Sequence, residues 1–127
     1  MTEDELKQRT KQFALRIMKL VEVLPKNLTG RAIGNQLLRC GTSVGANYRA
    51  ACRGRSKAEF VAKLGIALEE ADESAFWLEL IIDGNLVRRE LVTSLLNEAN
   101  ELTAILTASI NTSKTKKSQI SNLKSKI

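Results

Sequence analysis

Histidine is absent from the chain. Its absence removes the side chain that most often serves as a general base near neutral pH and most often ligates a metal. Proline occurs once, at Pro25, and aromatic residues make up only 4% of the sequence, a shortage of strand formers and helix breakers that favours long helices over sheet. No run of about 18 apolar residues exists, so no segment reads as a membrane span, and the opening MTEDELKQRT is too charged for a signal peptide. A cytoplasmic location is therefore expected. The two cysteines, Cys40 and Cys52, would stand roughly 18 Å apart on one continuous helix, far outside disulfide reach, and read as small reduced core residues. No Cys pair has zinc spacing, no glycine-rich loop joins a strand to a helix, and Ser43 and Ser56 have no histidine to activate them. These absences lead us to expect a protein with no metal, no cofactor and no catalysis of its own.

What is present is helical periodicity. The 127 residues, 43% apolar and 27% charged, fit one domain able to bury about two thirds of its unfolded surface. Thr2 and Glu5 have capping-box spacing, and Leu6, Phe13, Ile17, Leu20, Val21 and Leu24 then recur at the helical period, which predicts a first helix from Glu3 to Leu24. After PKNLTG, with Thr29 as the expected cap, a second helix runs to about Cys52. Ser56 and Glu59 open a third, carrying Phe60, Leu64, Leu68, Ala71, Ala75, Leu78 and Ile82, which DGN ends at Gly84. The fourth holds Leu91, Leu95, Ala99, Leu102, Ile105 and Leu106, and its pattern fades near Ile110. The spacing predicts an all-α, antiparallel up-down-up-down four-helix bundle over residues 1–111. The Lys- and Ser-rich segment 112–127 has too few large apolar residues to offset its ordering entropy and is expected to be a flexible basic tail.

Charge divides sharply between two of these helices. From Val23 to Ala58 there are seven basic residues and no acid, whereas Glu59 to Gly84 holds seven acids against Lys63 alone. On a helical wheel Ile33, Leu37, Cys40, Val44, Tyr48 and Ala51 form one sector, and Arg31, Arg39, Arg49 and Arg53 lie roughly opposite it. Two readings stay open. The arginine face, extended by Arg55 and Lys57 and by the lysine tail, binds the phosphates of RNA or DNA. Alternatively it meets the acidic face of the third helix, within a subunit or between subunits, and serves structure and self-assembly only. Gly34, Gly41 and Gly45 flank the core stripe of the second helix; three glycines cost roughly 1 kcal/mol each relative to alanine, which implies a close-packed neighbour. On the third helix Ile66, Trp77 and Ile81 lie on nearly the opposite side from Leu68 and Ala75, a surplus apolar sector that predicts an oligomer interface.

The run QLLRCGTSVGANYRAACRGRSKAEFVAKLGIALEEADESAFWLELI, preceded by Leu24 and Pro25, resembles the bacterial four-helix-bundle family of 23S ribosomal RNA intervening-sequence proteins. It is also similar to the related accessory variability proteins of diversity-generating retroelements. The resemblance extends over about residues 13–110. It implies a bundle that assembles into a ring-like homopentamer with a basic surface, which in the retroelement relatives engages nucleic acid and a reverse transcriptase; a nucleic acid and such a protein partner are therefore expected here. The family's recurring Gln, Arg, Ser and Asn correspond to Gln36, Arg39, Ser43 and Asn47. Where many members carry an acidic residue soon afterwards, this chain has Ala50, which leaves its arginine face more basic.

Overall fold

The computed structural model describes the backbone of residues 1–126 and the side-chain surroundings of residues 1–115. It contains α1 (Glu3–Glu22), α2 (Leu28–Cys52), α3 (Lys57–Asp83), a 3₁₀ turn (Arg89–Leu91) and α4 (Thr93–Lys126). The helix starts follow local chemistry: Thr2 Oγ1 accepts from the Glu5 N–H at 3.1 Å and Ser56 Oγ from the Glu59 N–H at 3.1 Å, each satisfying a donor that the first turn leaves free. Glu59 reaches back to accept from the Arg55 N–H at 3.1 Å, one residue beyond the usual capping-box partner. The cap of α2 is not Thr29 but Asn27, whose Oδ1 accepts from the Gly30 N–H at 2.9 Å. The earlier cap starts the helix two residues sooner, and Gly30 packs against Pro25, where a Cβ would lie 1.9 Å from the Pro25 carbonyl oxygen.

At the end of α3, Gly84 keeps φ at −82° and Asn85 takes the left-handed turn with φ 54°. The Asn85 N–H donates to the Ile82 carbonyl at 3.1 Å and the Leu86 N–H to the Ile81 carbonyl at 3.1 Å. This paired closure is the Schellman arrangement, which asparagine tolerates because its short polar side chain accommodates positive φ. Leu91, expected on the core stripe of the fourth helix, sits in the 3₁₀ turn and is half exposed, while Val92 fills the core position and α4 starts after it. The helix continues through 111–115, past the point where its apolar pattern fades. Most of the expected flexible tail, 116–127, lies outside the residues whose side chains are described.

Each helix packs along its sequence neighbour, and α1 and α4 close the ring, so that α1 and α3 occupy diagonal corners. The pairings run antiparallel where the side chains show them. Gly34 meets Val21 and Leu24, Gly41 meets Ile17, and Gly45 meets Thr10. Across the other seam Arg16 donates to Ser94 while Arg9 reaches the later Glu98 and Glu101. Phe13, Ile17, Leu37, Leu64, Leu78, Ile81, Leu102 and Leu106 fill the centre with no exposed surface, and the two buried polar side chains are satisfied. Thr10 donates to the Leu6 carbonyl at 2.9 Å, and Ser74 donates to the Glu70 carbonyl at 2.8 Å with its oxygen 3.3 Å from Cys40 Sγ. The α1–α4 seam is tied by the Arg9 guanidinium, whose Nε and Nη2 donate to both Glu98 oxygens at 2.7 and 2.6 Å. That fork holds the Glu98 carboxyl below its ordinary range.

Candidate nucleic-acid interface

The outer face of α2 is set by its inner one. Because Gly34, Gly41 and Gly45 seat α1 and Cys40 and Val44 point into the core, the remaining sector carries Arg31, Arg39, Arg49 and Arg53, all exposed. The six predicted basic residues nevertheless separate into two kinds. Arg39 is neutralised within its own subunit: its guanidinium pairs with Glu70 at 3.2 Å and with Glu73, and also donates to Gln36 Oε1 at 3.4 and 3.3 Å. Arg31, Arg49, Arg53, Arg55 and Lys57 form no side-chain ion pair among the described residues.

These five are unevenly placed. Arg31 stands near the start of α2, about 27 Å from Arg49 along the axis. Arg49, Arg53, Arg55 and Lys57 fall within nine residues without an intervening acid, at the turn from α2 into α3. Arg49 lies in the last turn of α2 and Arg53 caps its C-terminus, so the two stand close together at that end. The arrangement offers several fully charged, solvent-facing donors at one end of the bundle, suited to phosphate oxygens and indifferent to base sequence.

Ser43 and Asn47 both bond back to carbonyls of their own helix. Ser43 Oγ donates to the Arg39 carbonyl at 2.7 Å and Asn47 Nδ2 to the Ser43 carbonyl at 2.9 Å. Beside the basic turn lies an open cleft of about 500 Å³ whose lining includes Glu3, Tyr48, Cys52, Lys57 and Phe60. Its thiol is a poor nucleophile: burial first, then the neighbouring Glu3, pushes Cys52 upward. Burial likewise raises Cys40 and the Tyr48 phenol. No group of three or more metal-ligating side chains is found among the described residues, and no helix there is long and apolar enough to cross a membrane.

Of the three residues predicted for an oligomer interface, Ile81 needs correcting. Ile81 is completely buried within the subunit and has no surface to offer a neighbour. α3 is flanked by both α2 and α4, so its inward sector is wide enough to include Ile81 beside Ser74 and Leu78. Trp77 is partly buried on the core margin, and its Nε1–H donates to Glu73 Oε2 at 2.9 Å, the same carboxylate group that pairs with Arg39. Ile66 remains exposed, at 39%. The largest uncovered side chain on α3 is instead Phe76, 52% exposed and packed edge-on against Trp77 with ring centroids 5.1 Å apart. Sequence reasoning missed it, although it sits at the centre of a 3-4-spaced row with Glu69, Asp72, Glu79 and Asp83.

Comparison with known proteins agrees with this architecture. The family model described as 23S rRNA-intervening sequence protein matches residues 2–108. A crystal structure of a protein of unknown function from the S23 ribosomal protein family of Bacteroides thetaiotaomicron VPI-5482 is 38% identical, with a TM-score of 0.80 over 87% of this chain and 99% of that one. No curated protein matches the chain.

Proposed function

The chain belongs to the family of 23S rRNA-intervening sequence proteins, and from that premise we propose that it is a non-catalytic, homo-oligomeric nucleic-acid-binding protein whose expected ligand is RNA. The observation that carries this reading is the cluster of Arg49, Arg53, Arg55 and Lys57 within nine residues, all exposed and, like Arg31 farther along α2, without a carboxylate partner among the described residues. A face whose charges served only the subunit's own packing would resemble Arg39, already satisfied by Glu70 and Glu73. Binding rather than catalysis is supported by the lack of histidine and by thiols held in their neutral form. A ring of copies, a pentamer on the resemblance noted above, would multiply a modest single-subunit affinity by presenting several basic turns to one strand. A protein partner such as a reverse transcriptase belongs to the same proposal.

Replacing Arg49 and Arg53 together by Gln tests it. RNA affinity should fall with little dependence on sequence, and the slope of log affinity against log salt should shrink by roughly one to two units per engaged subunit, because fewer counterions are released. Arg39→Gln is the internal control and should change the slope much less. An unchanged slope in the double variant, or an equal effect from Arg39→Gln, refutes the assignment.

A further inference from the structure

Two opposite corners of the bundle carry rows of exposed residues that nothing among the described residues covers. On α3, Glu69, Asp72, Phe76, Glu79 and Asp83 are all exposed and follow one another at alternating steps of three and four, so they share one face over about four turns. Between Glu69 and Asp83 there are six carboxylates and no cation. On α1, Gln8, Lys11, Leu15, Met18 and Glu22 are likewise exposed and repeat the same three-four steps. The row itself carries Lys11 and, at its end, Glu22; Lys19 lies close beside it, while Arg16 turns to Ser94 on α4. Each row has an apolar centre: Phe76 at 52% exposure on one, Leu15 and Met18 at 40% and 48% on the other.

We infer that the outer row of α3 in one copy docks on the outer row of α1 in a second copy, with Phe76 seated against Leu15 and Met18, and with Lys11 and Lys19 brought to the α3 carboxylates. The inference specifies the contact behind the self-association proposed above and rests on that reading. Because α1 and α3 stand at diagonal corners, a subunit cannot join its own two rows. The contact is head-to-tail, and each added copy presents a fresh row, the geometry that closes into a ring when the rotation between copies allows. A symmetric α3-to-α3 contact is disfavoured because it sets carboxylate against carboxylate on both sides of the phenyl ring. The outer face of α2 is the competing partner, but its exposed large apolar side chains, Leu28 and Leu38, stand ten residues apart and form no common centre, and it lies beside α3 rather than across from it. Docking through α1 leaves the arginines of α2 uncovered, which the binding role requires.

Sedimentation at tens of micromolar tests this with Leu15→Glu and Phe76→Lys, each placing at the apolar centre a charge that the opposing row repels. Each variant alone should self-associate at least ~100-fold more weakly than the unaltered protein and run as a monomer. Mixed in equal amounts they should re-associate, because each retains the row that the other has lost. Both positions are exposed, so circular dichroism should show unchanged helicity; Leu15→Gln and Phe76→Gln, which remove the apolar contact without a charge, provide a second pair if it does not. A monomeric unaltered protein overturns this inference and the self-association reading together. Persistent assembly in both variants, loss with Phe76→Lys but not Leu15→Glu, or loss with Leu38→Glu but not Leu15→Glu, overturns the α1–α3 contact while leaving self-association standing.

Discussion

Two glycines in similar helical settings should respond oppositely to the same substitution. Replacing a helix-interior glycine by alanine raises stability by up to about 1 kcal/mol, because the unfolded chain has less freedom to lose. At Gly65 a Cβ meets nothing within 4 Å, so that gain should appear undiminished. At Gly41 the same Cβ would stand 2.8 Å from Ile17 Cγ1 and 2.9 Å from its Cγ2. Those atoms belong to a β-branched side chain with no exposed surface and little freedom to turn aside. Overpacking of this kind costs about 1–3 kcal/mol, so Gly41→Ala should lose about 1 kcal/mol net. With an unfolding entropy near 2.1 cal/mol/K per residue, a chain of this length shifts its Tm by about 4 °C per kcal/mol. The two variants should therefore melt about 8 °C apart, on either side of the parent. Thermal scans must use one protein concentration, since self-association raises Tm by mass action. If Gly41→Ala stabilised the protein as much as Gly65→Ala, α1 would not be seated on the glycines of α2 as described.

Two further outcomes follow from the titrating groups. Arg9→Gln should lower stability at pH 7 by about 1–2 kcal/mol, because Glu98 loses a forked charge-assisted partner. Since Arg9 lowers the folded-state pKa of Glu98 from an ordinary value of 4.5, this contribution is complete above that value and lost as the pH falls through the folded one. Urea titrations should show a constant gap between parent and variant from pH 7 to about 5 and a narrowing gap below 4.5; a gap unchanged at pH 3 would contradict the pairing. Native alkylation followed by mass spectrometry should label Cys52 more slowly than a free thiol at neutral pH, and Cys40 only on unfolding. Rapid modification of Cys40 would show the α2–α3 seam to be open.

Helix number, the outward direction of the α2 arginines and the close approach of a neighbour along the α2 glycines were legible because each rests on periodicity and side-chain size, though not that the neighbour is α1. Failures occurred where competing local chemistry or a third helix decides. Asn27 and Thr29 are both competent caps by residue type, and the one used, Asn27, is the one that starts the helix with Gly30 against Pro25. The end of α3 at Gly84 was read correctly, although the left-handed turn that completes it falls on Asn85. Ile81 looked like surplus surface because one stripe was allotted to the core, whereas α3 lies between two neighbours and buries a broader arc. Arg39 was indistinguishable from Arg49 by composition. Its carboxylate partners lie 31 and 34 residues onward, a separation that no local pattern encodes.

The chain contains a single tryptophan, and its position gives the molecule a built-in fluorophore. The Trp77 indole shares Glu73 with Arg39 and touches the Phe76 ring edge-on, so its emission samples the α2–α3 seam from within and the proposed docking row from beside it. Loss of the Arg39 pair alters the charge next to the indole N–H, whereas docking of a second copy over Phe76 dries the ring's surroundings and moves the emission to shorter wavelength. One unlabelled optical signal therefore follows both the internal ion pair and the arrival of a neighbour, and Arg39→Gln separates the two contributions.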